Sequence, residues 1–146
     1  MKLEQLSLFV ENRPGQLLNP CKVLADAGID ILLLALADTE KYGILRVIVK
    51  DWRRAKEVLE GAGCVVNVTD VVAVRVASRP GGLAGVLAVI EEARINVEYL
   101  YAFSARRGEV GILIFRFQST EAALAALKAK GVIVLGSAEL ENLIAS

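Results

Sequence analysis

The stretch NRPGQLLNPCKVLADAGIDI, residues 12–31, decides the fold because a related stretch follows it in the same chain. Residues 78–97 are SRPGGLAGVLAVIEEARINV, and at a shift of 66 positions the Arg-Pro-Gly triplet and several apolar residues coincide. Further on, the shift grows to 68, so that the Gly-Ile-Leu of residues 43–45 matches that of residues 111–113. The chain of 146 residues is therefore interpreted as two copies of one unit of about 68 residues, without a disordered linker.

The same order of strand and helix patterns recurs in both copies. The first copy gives strand 3–10, a helix after the turn, strands 29–38 and 42–50, a helix capped by Asp51, and strand 64–68. The second copy gives strand 71–77, helix 82–93, strands 95–103 and 110–117, helix 120–130 and strand 132–135. This βαββαβ order predicts an α+β fold of two ferredoxin-like units, each an antiparallel sheet with its helices on one face. We place the units at residues 1–69 and residues 70–146, with a short helical segment at the C-terminus.

Pro20 complicates the first helix, because it falls about one turn inside the predicted helix, where proline removes a backbone hydrogen bond. Either that helix is kinked, or it begins with Asn19 as its N-cap and Pro20 at its first position. The second copy has Val86 at this place, so the two copies need not be equivalent.

Composition argues against several classes of function. The chain has no histidine, which removes catalytic triads and imidazole metal ligands, and Cys21 and Cys64 are too few and too far apart for a zinc cluster. The 17 basic and 17 acidic residues balance, so no global charge favours nucleic acid. No apolar run has the roughly 20 residues of a membrane span, and the N-terminus lacks signal-peptide features. We therefore expect a cytoplasmic protein that is not an enzyme and that holds neither a cofactor nor a metal.

The doubled unit and its ENRPG string, residues 11–15, resemble the ACT domain, a small-molecule-sensing module of amino-acid-regulated enzymes. The string is similar to that of the serine-sensing domain of bacterial phosphoglycerate dehydrogenase, which has an Asn at the spacing of Asp30. The resemblance implies that an amino acid binds between two ACT units, at the first turn and at the start of the second strand. The serine sensor has a histidine where this chain has Val10 and Val76, which leaves the identity of the amino acid open.

Elementary chemistry explains how residues of this kind bind the carboxylate and ammonium groups of an amino acid. Glycine lets the backbone approach a ligand closely, and the helix that follows offers N–H groups to a carboxylate. Asp30 and Asn96 begin the next strands, and we expect them near the same end of the sheet, where they can accept hydrogen bonds from an ammonium group. The candidate ligand-binding residues are Asn12, Arg13, Pro14, Gly15, Gln16, Leu17, Asp30 and Ile31 in the first copy and Ser78, Arg79, Pro80, Gly81, Gly82, Leu83, Asn96 and Val97 in the second.

The resulting hypothesis is a regulatory protein that senses a free amino acid and acts through oligomerisation or on an enzyme of amino-acid metabolism, without nucleic-acid or membrane partners. The alternative is a structural regulatory subunit of a biosynthetic enzyme whose ligand site is vestigial. Residues 31–37, ILLLALA, are apolar on both alternating faces, and a strand of this kind should be covered on both sides. We therefore expect the helix-free face of the first copy, to which we assign Leu32, Leu34 and Leu36, to be covered by a second protomer or by the C-terminal segment SAELENLIAS, residues 137–146. Of the two, we favour the homodimer.

Overall fold

The computed structural model describes residues 1–38 and 41–145, and within them the chain forms seven strands and five helices. The strands are β1 Leu3–Glu11, β2 Ile31–Asp38, β3 Tyr42–Val49, β4 Val66–Ala77, β5 Val97–Ala105, β6 Val110–Phe117 and β7 Ile133–Leu135. The helices are α1 Leu18–Asp26, α2 Trp52–Gly61, α3 Gly82–Glu92, α4 Thr120–Ala129 and α5 Ser137–Ala145. The chain divides into two compact units, which we call the N-terminal unit, Glu4–Thr69, and the C-terminal unit, Met1–Leu3 together with Asp70–Ser146.

The N-terminal unit is a ferredoxin-like layer of helices on an antiparallel sheet, in which the strands lie in the order β2-β3-β1. Its core forms where the apolar face of the sheet meets α1 and α2. The most buried members of this core are Leu6, Leu8, Leu45 and Val47 from the strands and Leu24, Ala55 and Leu59 from the helices. Alternating residues of the strands supply one face of the core, and the helical stripes supply the other.

The C-terminal unit repeats this plan with the strand order β7-β4-β6-β5. Its core lies between the sheet and helices α3 and α4, and the rings of Phe115 and Phe117 stack within it with centroids 4.9 Å apart. The predicted fold class, two ferredoxin-like units with helices on one face of an antiparallel sheet, is therefore confirmed.

The two units also share local details of strand pairing and of helix termination. The pairing of β2 with β3 shifts register between Ile31 and Leu33, and that of β5 with β6 shifts between Val97 and Tyr99, 66 positions later. Both first helices also end alike, because Ile29 N–H donates to Leu24 O at 2.9 Å and Ile95 N–H donates to Ile90 O at 3.2 Å. The repeat inferred from sequence thus extends to bulges and helix caps.

Pro20 lies closer to the start of α1 than the sequence pattern indicates. The helix begins at Leu18 with Leu17 as N-cap, so Pro20 falls in the first turn, where a backbone N–H has no intrahelical acceptor. Asn19 is therefore not the cap, and the alternative that placed Pro20 at the first helical position is wrong. The corresponding helix α3 has no proline and begins at Gly82, two positions earlier in the alignment of the copies.

Two further expectations are corrected by the strand pairing. Residues 64–68 and 71–77 do not form separate strands, because β4 is continuous from Val66 to Ala77. Leu34 pairs with Val47 and Leu36 with Leu45, so these leucines lie on the helix-bearing face of the sheet, contrary to the expected helix-free face. They are nevertheless 52% and 49% exposed, because β2 is an edge strand of this unit.

Candidate functional site

The Arg-Pro-Gly triplet of each unit forms a hydrogen-bonded type II turn. The N–H of Gln16 donates to Arg13 O at 3.4 Å, and the N–H of Gly82 donates to Arg79 O at 3.1 Å. A type II turn favours proline at its second position and requires positive φ at its third, which Gly15 adopts at 88° and Gly81 at 89°. The geometry of the turn therefore accounts for the Pro-Gly pair in both copies.

Each turn is tied to the hairpin that follows its helix. Asn12 N–H donates to Lys41 O at 3.0 Å, and in the C-terminal unit Ser78 N–H donates to Glu109 O at 3.2 Å. These bonds fix the turn at the end of the sheet where the first strand of the unit ends and the third begins. The candidate residues Asn12–Leu17 and Ser78–Leu83 thus form one contiguous structure in each unit.

Asp30 and Asn96, by contrast, lie at the opposite end of their own sheets, and the expectation that they share an end with the turn is wrong. Glu11, just before the first turn, pairs with Tyr42 at the start of β3, whereas Ile31, just after Asp30, pairs with Val49 at its end. The seven residue steps between those ends of β3 span roughly 24 Å. A helix that returns along its strand brings the chain back to the far end of the sheet, so one amino acid cannot touch both groups of a single unit.

The helices that follow the turns start without a side-chain cap, unlike the second helix of each unit. Asp51 accepts from Arg54 N–H at 3.2 Å, and Ser119 accepts from Ala122 N–H at 3.4 Å, whereas Leu17 and Gly81 provide no such bond to α1 and α3. The first N–H groups of a helix have no intrahelical acceptor. Among α1 to α4, the starts without a side-chain cap are thus those next to the Arg-Pro-Gly turns.

Two open pockets lie beside the turn of the C-terminal unit. The first, which we call the β7-side pocket, measures about 410 Å³ and is lined by residues that include Arg75, Arg79 and Ile133. The second, the β5-side pocket, measures about 260 Å³ and is lined by residues that include Ser78, Arg79 and Ser104. Arg79 lines both pockets, so the turn separates two small concave surfaces.

The N-terminal unit has a counterpart of the β7-side pocket with a different chemical character. This pocket of about 360 Å³ is lined by residues that include Phe9, Pro20 and Val65, where the C-terminal unit has Arg75, Val86 and Ile133. Cys64 also lines it and packs against the core, and burial raises the pKa of this thiol. The same place in the fold is thus lined by uncharged residues, including Gln16 and Asn19, in one unit and bears Arg75 and Arg79 in the other.

Asn96 lies instead in a shallow depression of about 680 Å³ at the end of α3, which Glu91 and Glu92 also line. Both Asp30 and Asn96 are exposed. Their side chains are therefore accessible to an external group, but not to one that occupies the turn of the same unit.

Sequence reasoning missed the glycines that support the turns. Gly111 pairs with Val76 and Gly43 with Val10, and a Cβ atom at either glycine would press on the valine. The Gly-Ile-Leu match between the copies was the available signal. Gly82 is constrained as well, because a Cβ there would lie 2.7 Å from Ala77 O. Arg75 was also not predicted to line a pocket, because no local sequence pattern indicates this position.

Residues 1–38 and 41–145 contain no group of three or more acidic or cysteine side chains placed to hold a metal ion. None of the helices in this described part is both long and apolar enough to cross a membrane.

Comparisons with known protein families and solved structures find proteins that are similar to this chain. A family model for the ACT domain pair matches residues 1–144. The crystal structure of a protein from Bacteroides thetaiotaomicron is 34% identical, with a TM-score of 0.90 and 96% of each chain covered.

The ligand-free regulatory subunit of aspartate kinase from Thermus thermophilus is 21% identical, with a TM-score of 0.63, over 86% of this chain and 91% of that one. The corresponding subunit from Thermus flavus is 20% identical, with a TM-score of 0.62, over 86% and 90%. At these identities the likeness concerns the fold. No curated protein sequence matches the chain significantly.

Proposed function

Because the chain belongs to the ACT domain pair family, we propose that it is a regulatory protein that binds a free amino acid and has no catalytic activity of its own. ACT domains regulate and do not catalyse, and two proteins with a similar fold are regulatory subunits of aspartate kinase. By analogy of fold, the partner is an enzyme of amino-acid metabolism. The cytoplasmic location stays a prediction from the sequence.

The observation that carries this proposal is the duplicated type II turn with an uncapped helix behind it. Backbone N–H groups at a helix start hold a carboxylate well, because they combine hydrogen bonding with the positive end of the helix dipole. In the C-terminal unit the turn also lies between two pockets of about 410 and 260 Å³, a size that suits a small molecule.

The ammonium group of such a ligand needs a partner from outside the unit that holds the carboxylate. Asp30 and Asn96 lie at the far end of their own sheets, as the register of β2 and β5 demonstrates. A site that uses a turn together with one of these residues is therefore complete only when a further ACT unit contributes. This requirement links ligand binding to association, as a regulatory protein needs.

We also propose that the chain forms a homodimer through an apolar surface on α1 and β2. This surface consists of Leu17, Leu18, Leu34 and Leu36, which are 41%, 66%, 52% and 49% exposed. Leucines exposed on an edge strand are a liability on a monomer, and pairing with a second copy removes them from water. Residues 31–37 of β2 are uncharged, so a twofold contact between two copies of this stretch brings no like charges together.

The alternative, a structural subunit with a vestigial site, has support in the N-terminal unit alone. There α1 starts two positions late at Leu18, and Glu11 occupies Arg13 in an ion pair of 2.8 Å. Both features leave less of the turn available to a ligand. The alternative therefore fits one copy of the site better than the whole chain.

A thermal-shift screen of the full chain against the twenty amino acids tests the proposal. A ligand at 100 times its dissociation constant adds about 2.7 kcal/mol to the free energy of unfolding, which raises the melting temperature measurably. Asp30→Ala and Asn96→Ala, measured with the ligand that the screen selects, report which strand start takes part. No stabilisation by any amino acid, together with co-purification of a larger protein, would favour the structural subunit.

A further inference from the structure

The two Arg-Pro-Gly turns differ in charge although they share a backbone. In the N-terminal unit, Arg13 Nε lies 2.8 Å from Glu11 Oε2, so the turn is neutralised by its own chain. In the C-terminal unit, Ala77 stands in the position of Glu11, and Arg79 has no ion-pair partner among residues 1–38 and 41–145. One turn thus retains a positive charge that the other has lost.

The neighbouring hairpin adds to this charge. Arg106 and Arg107 lie in the loop between β5 and β6, which Ser78 N–H joins to the turn through Glu109 O at 3.2 Å. Within the described residues neither arginine forms an ion pair. The turn and this loop contain Arg79, Arg106, Arg107 and Glu109, which together carry a formal charge of +2.

The loop between β5 and β6 has a backbone conformation that is unfavourable for arginine. Arg106 and Arg107 have φ of 50° and 56°, a region that side chains other than Asn, Asp and Gly rarely occupy. Such backbone strain persists where the surrounding structure imposes it, and it concentrates at binding sites. The loop is two residues longer than its counterpart in the N-terminal unit, and both arginines lie in it, between Ala105 and the Glu109 that is bonded to the turn.

The N-terminal unit provides the internal comparison. Its described residues at the same end include Glu11 and Asp38, where the C-terminal unit has Ala77 and Ser104. Asp38 would place a negative charge where Ser104 lines the β5-side pocket. Lys41 changes in the opposite direction, to Glu109, but the two lost carboxylates and the two added arginines leave the C-terminal turn with the more positive surroundings.

We propose that the β5-side pocket of the C-terminal unit binds a small ligand with two negative charges, and that this ligand is an amino acid with a carboxylate side chain. The second statement rests on the proposed function. One carboxylate is held at the helix start, and Arg79, which lines the same pocket, offers a guanidinium group to a second. Arg106 and Arg107 do not line the pocket, but they add positive charge in the adjoining loop. The pocket of about 260 Å³ limits the ligand to a small metabolite.

Calorimetric titration of the full chain with aspartate, asparagine, glutamate and glutamine at constant ionic strength tests this proposal. Each acid is nearly isosteric with its amide and differs from it in charge. We expect one acid to bind at least about tenfold more tightly than its amide, and Arg79→Gln to remove this preference. Arg54→Gln, the same type of change at an exposed arginine of α2 that lies outside both turns, should leave the affinity within about twofold of wild type. Both arginines are exposed, and thermal unfolding without ligand verifies that each variant folds.

The possible results separate this proposal from the proposed function. Equal affinity for acid and amide, or equal effects of Arg79→Gln and Arg54→Gln, overturns the dianion site but does not contradict the amino-acid sensor. Binding of succinate in the absence of binding by any amino acid supports the dianion site and overturns the amino-acid sensor. If neither succinate nor any amino acid binds, both proposals are wrong.

Discussion

Val76 lies directly opposite Gly111 in the antiparallel pair of β4 and β6, and its Cγ2 atom would be 2.9 Å from a Cβ at that glycine. This close contact fixes the strand end from which the turn of the C-terminal unit departs. The N-terminal unit repeats the pair as Val10 and Gly43, where the nearest atom to an added Cβ is instead Leu36 Cδ1 at 3.0 Å.

Gly111→Ala should therefore destabilise the protein by about 1–3 kcal/mol, the usual cost of overpacking against a stiff β-branched side chain. Gly43→Ala should cost less, because Leu36 is half exposed and can move its terminal methyl group. Urea unfolding of both variants checks the difference. Equal losses of unfolding free energy would show that the two glycines are equally constrained.

Arg94→Gly should stabilise the protein by about 0.5–1 kcal/mol. Arg94 follows α3 with φ of 55°, at the position where the N-terminal unit has Gly28 with φ of 72°, and glycine adopts this conformation without a steric penalty. The reverse change, Gly28→Arg, should destabilise by a similar amount. Thermal unfolding of the two variants measures both effects, and a destabilised Arg94→Gly variant would contradict the argument.

Cys64 should react slowly with thiol reagents at pH 8 in the folded protein. Burial raises the pKa of its thiol, so the reactive thiolate is less populated than in the unfolded chain. The rate, measured in the Cys21→Ser variant, should increase as the pH rises through the elevated pKa, and denaturant should accelerate the reaction. Fast reaction at neutral pH without denaturant would disprove this.

The raised pKa of Cys64 also makes the free energy of unfolding depend on pH. The folded state keeps the Cys64 thiol neutral at a pH where the unfolded state ionises it. The contribution of this group is therefore fully present below the ordinary thiol pKa and is lost as the pH rises through the elevated pKa of the folded state. Cys64→Ala should therefore make the free energy of unfolding depend less on pH in the alkaline range. Urea unfolding from about pH 7 to about pH 10, a range that includes the ordinary thiol pKa, measures this dependence.

Leu36→Glu should convert the proposed dimer to a monomer, because it places a charge in the exposed leucine surface of α1 and β2. Ala102 occupies the same position on β5 and is also exposed, so Ala102→Glu is the matched control and should leave the mass unchanged. Light scattering at micromolar concentration measures both. A monomeric wild type would remove the basis of the dimer.

Local chemistry accounts for what the sequence determined by itself. The repeat, the type II turns at Arg13–Gln16 and Arg79–Gly82 and the cap at Asp51 follow from residues within a few positions of each other. Proline and glycine restrict φ, and a short polar side chain accepts from the next helical turn, so neighbouring residues suffice to specify these features.

Only the tertiary structure decided where distant residues meet. The sequence order suggested that Asp30 shares an end of the sheet with the Arg-Pro-Gly turn, but the pairing of Ile31 with Val49 places it at the other end. Likewise, the composition of residues 31–37 did not reveal that Leu34 and Leu36 share a face with the core and remain exposed at its edge. Strand register and edge position depend on hydrogen bonds between segments far apart in the chain, and no local pattern of residues contains them.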